Sequence, residues 1–137
     1  MIRDINIEQL LIKATEMLKK RPEVIFAYAF GSAILNSPVA PRDLDVAVYT
    51  NETVLNSDAM GYELELGATL ERAMGYDLPL DLVVMNKAPV VLRNAIFAKG
   101  RCLFSRDENL RTDLIEQTGQ AAFERYPVQL VLAELMS

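Results

Sequence analysis

Apolar residues recur at Ile7, Leu10, Leu11, Ala14 and Leu18, the spacing that lays one hydrophobic stripe along an α-helix. This predicts a helix over 7–20. Asn6 can cap it, with Gln9 three residues on completing a capping-box pattern. Lys19, Lys20 and Arg21 suit the negative end of the helix dipole, and Pro22 stops the helix. The period then changes. Residues 24–30 read Val-Ile-Phe-Ala-Tyr-Ala-Phe, apolar on both faces, which predicts a strand in the middle of a sheet. A loop with Pro38 and Pro41 follows, with one short helical turn at 33–36, and a second strand at 44–49. A helix over 58–74 can be capped by Asn56, Ser57 or Asp58 and ends at Gly75. A third strand at 80–85, a helix opened by Pro89 and closed by Gly100, and a short strand at 101–104 come next. Ser105-Arg106-Asp107-Glu108 has the capping-box pattern for a last helix running to about 125. Pro127 kinks or breaks the chain there, and the mostly apolar 128–136 reads as helical.

Helices alternating with strands, without linker or repeat, predict an α/β (α+β) fold: a mixed β-sheet flanked by helices. With 137 residues, the length prior gives a single domain over 1–137, its C-terminal helical segment covering about 107–137. Hydrophobic residues at 51% and a mean hydropathy of +0.13 fit a globular chain and exclude a disordered one. The longest wholly apolar run, 24–30, is too short to span a bilayer, and Asp4, Asn6, Glu8 and Gln9 interrupt any signal-peptide core. No membrane association is expected.

Two scarcities narrow the chemistry. With no histidine, Ser-His and Cys-His nucleophile systems and His-ligated zinc are excluded. The single cysteine, Cys102, permits neither an internal disulfide nor a cysteine metal cluster, and fits a cytoplasmic location. Cys102 itself reads as inert core. A net charge of −5 calls for no direct nucleic-acid partner. Carboxylates, hydroxyls, Lys/Arg and oxygen-bound metal remain as tools.

One constellation uses them. Gly31-Ser32 lies where the first strand ends; after ten intervening residues comes Asp43-Leu44-Asp45, at the start of the second strand. Asp43 and Asp45 are two apart, so on an extended chain they point the same way. Two adjacent carboxylates repel, and a divalent cation such as Mg²⁺ relieves that repulsion. Asp81, at the start of the third strand, can reach the same point if the second and third strands are neighbours. Three carboxylates can hold two metal ions. Glycine lets backbone approach a phosphate, and Ser32 adds a hydroxyl. An Asp-x-Asp alone is common; Gly-Ser at this distance, framed by strands, is not. Arg42 reads as a solvated loop residue, and Lys87, Arg93 and Lys99 as surface residues.

Gly-Ser-x10-Asp-x-Asp resembles the signature of the DNA polymerase beta-like nucleotidyltransferases. The small size is similar to their minimal members, in particular the MntA-type antitoxins of HEPN/MNT toxin–antitoxin pairs. The resemblance extends from the first strand to the segment Cys102-Leu103-Phe104-Ser105-Arg106-Asp107. It implies a nucleotidyltransferase fold, Mg²⁺ ligation and catalysis by Asp43, Asp45 and Asp81, and a phosphate grip by Gly31 and Ser32. It implies ATP as substrate, a HEPN-type toxin as partner, and AMP transfer to a tyrosine hydroxyl that silences the toxin. Family members often carry small and basic residues after Gly-Ser; here Ala33-Ile34-Leu35-Asn36 is more apolar. Two other readings stand beside this one: nucleotidyl transfer to a small molecule such as an antibiotic, and inhibition of a partner by binding alone. Homo- or hetero-oligomerisation is left open, as is whether the apolar 128–136 packs within the chain or forms a partner surface.

Overall fold

The structure, a computed structural model, describes residues 5–35, 40–55 and 58–125. Asn36 and Pro38 of the first loop, the cap candidates Asn56 and Ser57, Pro127 and the apolar 128–136 lie outside the described residues.

Among the described residues ten elements follow one another: α1 (Ile7–Lys19), β1 (Val24–Phe30), β2 (Leu44–Thr50), α2 (Glu52–Leu55), α3 (Ala59–Ala73), β3 (Leu80–Val84), a 3₁₀ turn (Met85–Lys87), α4 (Val90–Lys99), β4 (Arg101–Ser105) and α5 (Glu108–Arg125). The strands form one mixed sheet in the order β3-β2-β1-β4. β1 pairs antiparallel with both β2 and β4, while β2 and β3 run parallel. The doubly apolar segment 24–30 is therefore an inner strand, as its composition requires.

Each face of the sheet has its own core. On one face Leu44, Val46, Val48, Leu82 and Val84 meet Leu10, Leu11, Ala14 and Leu18 of α1 and Leu66 and Leu70 of α3. Each such leucine contributes about 1.5–3 kcal/mol by leaving water. On the other face Phe26, Tyr28, Ala47 and Met85 pack under Ile96 of α4. The Phe26 ring stacks on Tyr49 at 5.0 Å, and Tyr28 meets Phe97 edge-on at 5.4 Å. Arg111 of α5 donates to the Tyr28 hydroxyl at 2.6 Å, tying that helix to the sheet.

The caps follow the sequence at three of four places. Asn6 Oδ1 accepts from Gln9 N–H at 3.2 Å, and Asp58 Oδ1 from Gly61 N–H at 3.0 Å. Pro89 is the residue just before α4, placing its missing N–H where no helical partner is needed. The last helix differs: Asp107, not Ser105, caps it, accepting from Leu110 N–H at 3.0 Å. Ser105 belongs to β4, where its hydroxyl is buried and unpartnered. Pairing with β1, where Ser105 is the register partner of Phe26, outcompetes the local cap. The four-residue α2 has no hydrophobic period long enough to foresee.

α3 lies close to β3 at Gly67, which is buried in the helix interior. A Cβ there would touch Leu82 Cβ at 3.7 Å and Leu80 Cδ2 at 3.9 Å, ordinary contact distances. We expect Gly67→Ala to stabilise the protein by about 0.5–1 kcal/mol, because alanine removes glycine's backbone entropy cost and adds packing. Thermal unfolding checks this. A lower melting temperature would mean that the helix–strand gap does not admit a methyl group.

Candidate active site

Three segments meet at one end of the sheet, where β1 leaves it and β2 and β3 enter. Phe30, the last residue of β1, is the register partner of Asp45, and Asp45 is in turn the partner of Asp81 across the parallel β2–β3 pair. Alternation puts Asp45 on the same face as Ala47 and Tyr49, and Asp81 on the same face as Val83. Both carboxylates thus share the α4 side of the sheet. Asp43 precedes β2 by one residue, close enough for its charge to act on Asp45.

Asp45 is the focus of the cluster. Burial, reinforced by the negative charges of Asp43 and then Asp81, holds its carboxyl above the usual carboxylate range. Asp81 is exposed on the edge strand, and Asp43 is half-buried. Among the described residues no three acidic, thiol or imidazole side chains close around a common point as a metal cage. Their charges are nevertheless felt at Asp45, as expected for carboxylates that repel without a counter-ion.

Gly31 stands against Asp45. Its φ is +81°, in the left-handed region, and a Cβ built on it would collide with Asp45 Oδ2 and come within 3.1 Å of Asp45 Cγ. Only glycine satisfies both conditions. The chain then turns: the N–H groups of Ile34 and Leu35 donate to Gly31 C=O at 3.1 and 3.2 Å. Where one helical turn is expected at 33–36, the described residues form a hydrogen-bonded turn over 31–35 with no helix, and Asn36 lies outside them. Ser32, exposed, is the second residue of that turn.

This donor set fits a divalent cation on two observations. Asp45 lies within reach of the negative charges of Asp43 and Asp81, and the missing Gly31 side chain lets its carboxylate pack against the backbone of the turn that follows β1. Both suit a hard, oxygen-preferring ion.

The polymerase beta nucleotidyltransferase family matches this chain over residues 12–109, well over half its length and including every residue of the cluster. The chain belongs to that family.

No curated protein matches the nucleotidyltransferase significantly. Solved structures do. A chain of the MntA–HepT toxin–antitoxin complex superimposes with a TM-score of 0.64 at 21% identity, covering 95% of this nucleotidyltransferase and 99% of that chain. A toxin–antitoxin structure with AMP-PNP gives a TM-score of 0.67 at 20% identity, covering 93% and 98%. The complex of a tri-AMPylated Shewanella oneidensis HEPN toxin with an MNT antitoxin gives 0.63 at 20%, covering 93% and 99%. At these identities the likeness speaks for the nucleotidyltransferase fold.

Other residues are placed as follows. Arg42 is exposed, as expected of a loop arginine. Arg93, expected at the surface, is half-buried on α4, with Nε buried and without a hydrogen-bond partner. Cys102 lies half-buried on the outer strand β4 rather than in the deep core; burial pushes its thiol up, so it stays neutral. Two glutamates of α3 carry no sequence motif yet reach the strand that bears Asp81. Glu71 Oε1 accepts from Leu80 N–H at 2.8 Å, and Glu63 Oε2 from Val84 N–H at 3.0 Å. Their eight-residue spacing, which returns to one helix face, is the only local signal. No described helix is long and apolar enough to cross a membrane.

Proposed function

We propose that this nucleotidyltransferase is an antitoxin of the cytoplasm that moves AMP from ATP onto a tyrosine hydroxyl of a HEPN-type ribonuclease partner. The observation that carries the reading is the register match of Asp45 with Asp81 beside the side-chain-free approach of Gly31. Family membership supplies the reaction class, and the structurally similar toxin–antitoxin complexes, one with an AMPylated HEPN toxin and one with AMP-PNP, supply the partner and the nucleotide.

Asp43, Asp45 and Asp81 are the residues that would hold Mg²⁺, two ions in this reading, which when bound neutralises phosphate charge and acidifies the acceptor hydroxyl. The chain's own groups do the rest. The turn opening at Gly31 presents backbone N–H groups and the Ser32 hydroxyl to the triphosphate. Asp81, the exposed member of the trio, takes the acceptor's proton and passes it to solvent. The acceptor oxygen forms a bond to the α-phosphorus, the bond to the bridging oxygen breaks, and pyrophosphate leaves. The protein's contribution is chiefly positioning.

The test is incubation with labelled ATP, Mg²⁺ and the toxin encoded beside it. Wild type is expected to label the toxin, and the Asp43→Asn, Asp45→Asn double variant is not. Equal labelling by both would sink the catalytic assignment. An inhibited but unmodified toxin would replace transfer with binding alone.

A further inference from the structure

β3 is an outer strand of five residues, and it carries Asp81. Leu44 N–H donates to Pro79 C=O at 2.9 Å, which sets the parallel ladder. The backbone groups of Asp81 and Val83 therefore face β2, and those of Leu80, Leu82 and Val84 face outward. Outward N–H groups on an outer strand ordinarily bond to water or to another chain. Here the two terminal ones bond to carboxylates of α3: Leu80 to Glu71 and Val84 to Glu63. α3 is itself anchored by Leu66 and Leu70 in the sheet's core. The strand is thus held from both sides, by β2 on its inner edge and by a rigid helix on its outer edge. Asp81 directly follows the residue that Glu71 grips. Charge-assisted bonds of this kind are about twice as strong as neutral ones.

We propose that Glu71 and Glu63 are positioning residues for Asp81, clamping β3 so that the Asp81 carboxylate is held beside Asp45. The catalytic consequence rests on the proposed transferase reading; the mechanical consequence does not. A five-residue outer strand frays at its ends unless its backbone is held, and a loosened Asp81 would leave the cluster. Neither glutamate touches substrate in this assignment. They act on backbone, so glutamine, which keeps an acceptor oxygen, should serve in their place, whereas alanine should not.

The experiment combines amide hydrogen exchange by NMR with steady-state transfer kinetics on the full chain. It compares wild type with Glu71→Ala, Glu71→Gln, Glu63→Ala and Glu63→Gln. In Glu71→Ala the Leu80 amide should exchange about ten-fold faster. The Asp81 amide, on the opposite side of the strand, should accelerate with it, while Ala27 in β1 is unchanged. The transfer kcat should fall about ten-fold with the KM for ATP within two-fold, and Glu71→Gln, whose neutral amide oxygen makes a weaker bond, should restore a large part of both readouts. Glu63→Ala should loosen Val84 in the same way with a smaller effect on kcat. Unchanged Asp81 exchange in Glu71→Ala overturns the proposal, because the clamp then does not reach Asp81. A glutamine variant as impaired as alanine also overturns it, showing that charge and not the hydrogen bond matters. Acceleration of Ala27 along with Asp81 overturns it as well, since the loss is then of general stability. If wild type transfers no AMP, the proposed function fails, and Asp81 exchange alone still decides the clamp.

Discussion

Asp45→Asn is expected to raise the melting temperature of the metal-free protein at pH 7 while reducing nucleotidyl transfer by roughly 10²–10³-fold. The two effects share one cause. Burial and the charges of Asp43 and Asp81 raise the Asp45 carboxyl above its ordinary value of about 3.8. The folded protein therefore binds that proton more tightly than the unfolded chain does. The resulting stability is fully present below about pH 3.8 and is lost as pH rises through the higher folded value. At neutral pH the ionised carboxylate burdens the fold, and asparagine, nearly the same shape without the charge, removes the burden. Melting curves of both proteins from pH 3 to 8 check the sign. The gap should open as pH rises through the carboxylate range and close below it. Mg²⁺ should raise the wild-type melting temperature and leave Asp45→Asn unmoved, because only a ligand that binds the folded state stabilises it. A variant that melts lower at pH 7 would show that Asp45 is a structural acid. Residues that weaken the fold they occupy are expected where function holds them in place.

Gly31→Ala is expected to damage both stability and transfer. The backbone at φ +81° costs an L-residue about 1–2 kcal/mol. The added methyl also drives into the Asp45 carboxylate, so the carboxylate or the turn must move. Transfer should fall by about 10²-fold, because a displacement near 1 Å at a reacting centre has that effect. A double-mutant cycle separates the causes. In an Asp45→Ala background the collision is gone, and the stability loss from Gly31→Ala should shrink to the backbone part alone. If the loss is the same in both backgrounds, the collision contributes nothing and the conformation explains everything. Ser32→Ala is the control: it leaves turn and carboxylates intact and should weaken transfer only modestly.

The fold was largely legible because its signals are local. The helical stripe from Ile7 to Leu18 and the doubly apolar 24–30 each declare their period within a few residues, and α1 and β1 appear where the pattern puts them. Ser105 shows where local reading fails. Its capping-box neighbours are right for a helix start, but β1 claims it through a pairing nearly eighty residues away in sequence. Arg93 shows the same limit, since helical spacing alone does not say which residues of α4 turn inward.

The sequence alone determined the chemistry available. It contains no histidine and a single cysteine, and it sets ten residues between Gly31-Ser32 and Asp43-Leu44-Asp45. Alternation along one strand was enough to predict that Asp43 and Asp45 share a side. Whether Asp81 joins them was conditional on which strands are neighbours, and only the parallel pairing of β2 with β3 decided it. The same is true of Gly31, whose need to be glycine comes from a carboxylate fourteen residues away, and of Glu63 and Glu71, whose partners lie on a different element. The physical reason is common to all three. Covalent geometry and hydrophobic period act over a few residues and can be read in order along the chain. Register, close approach and backbone clamping arise only when distant segments bury their apolar faces against each other.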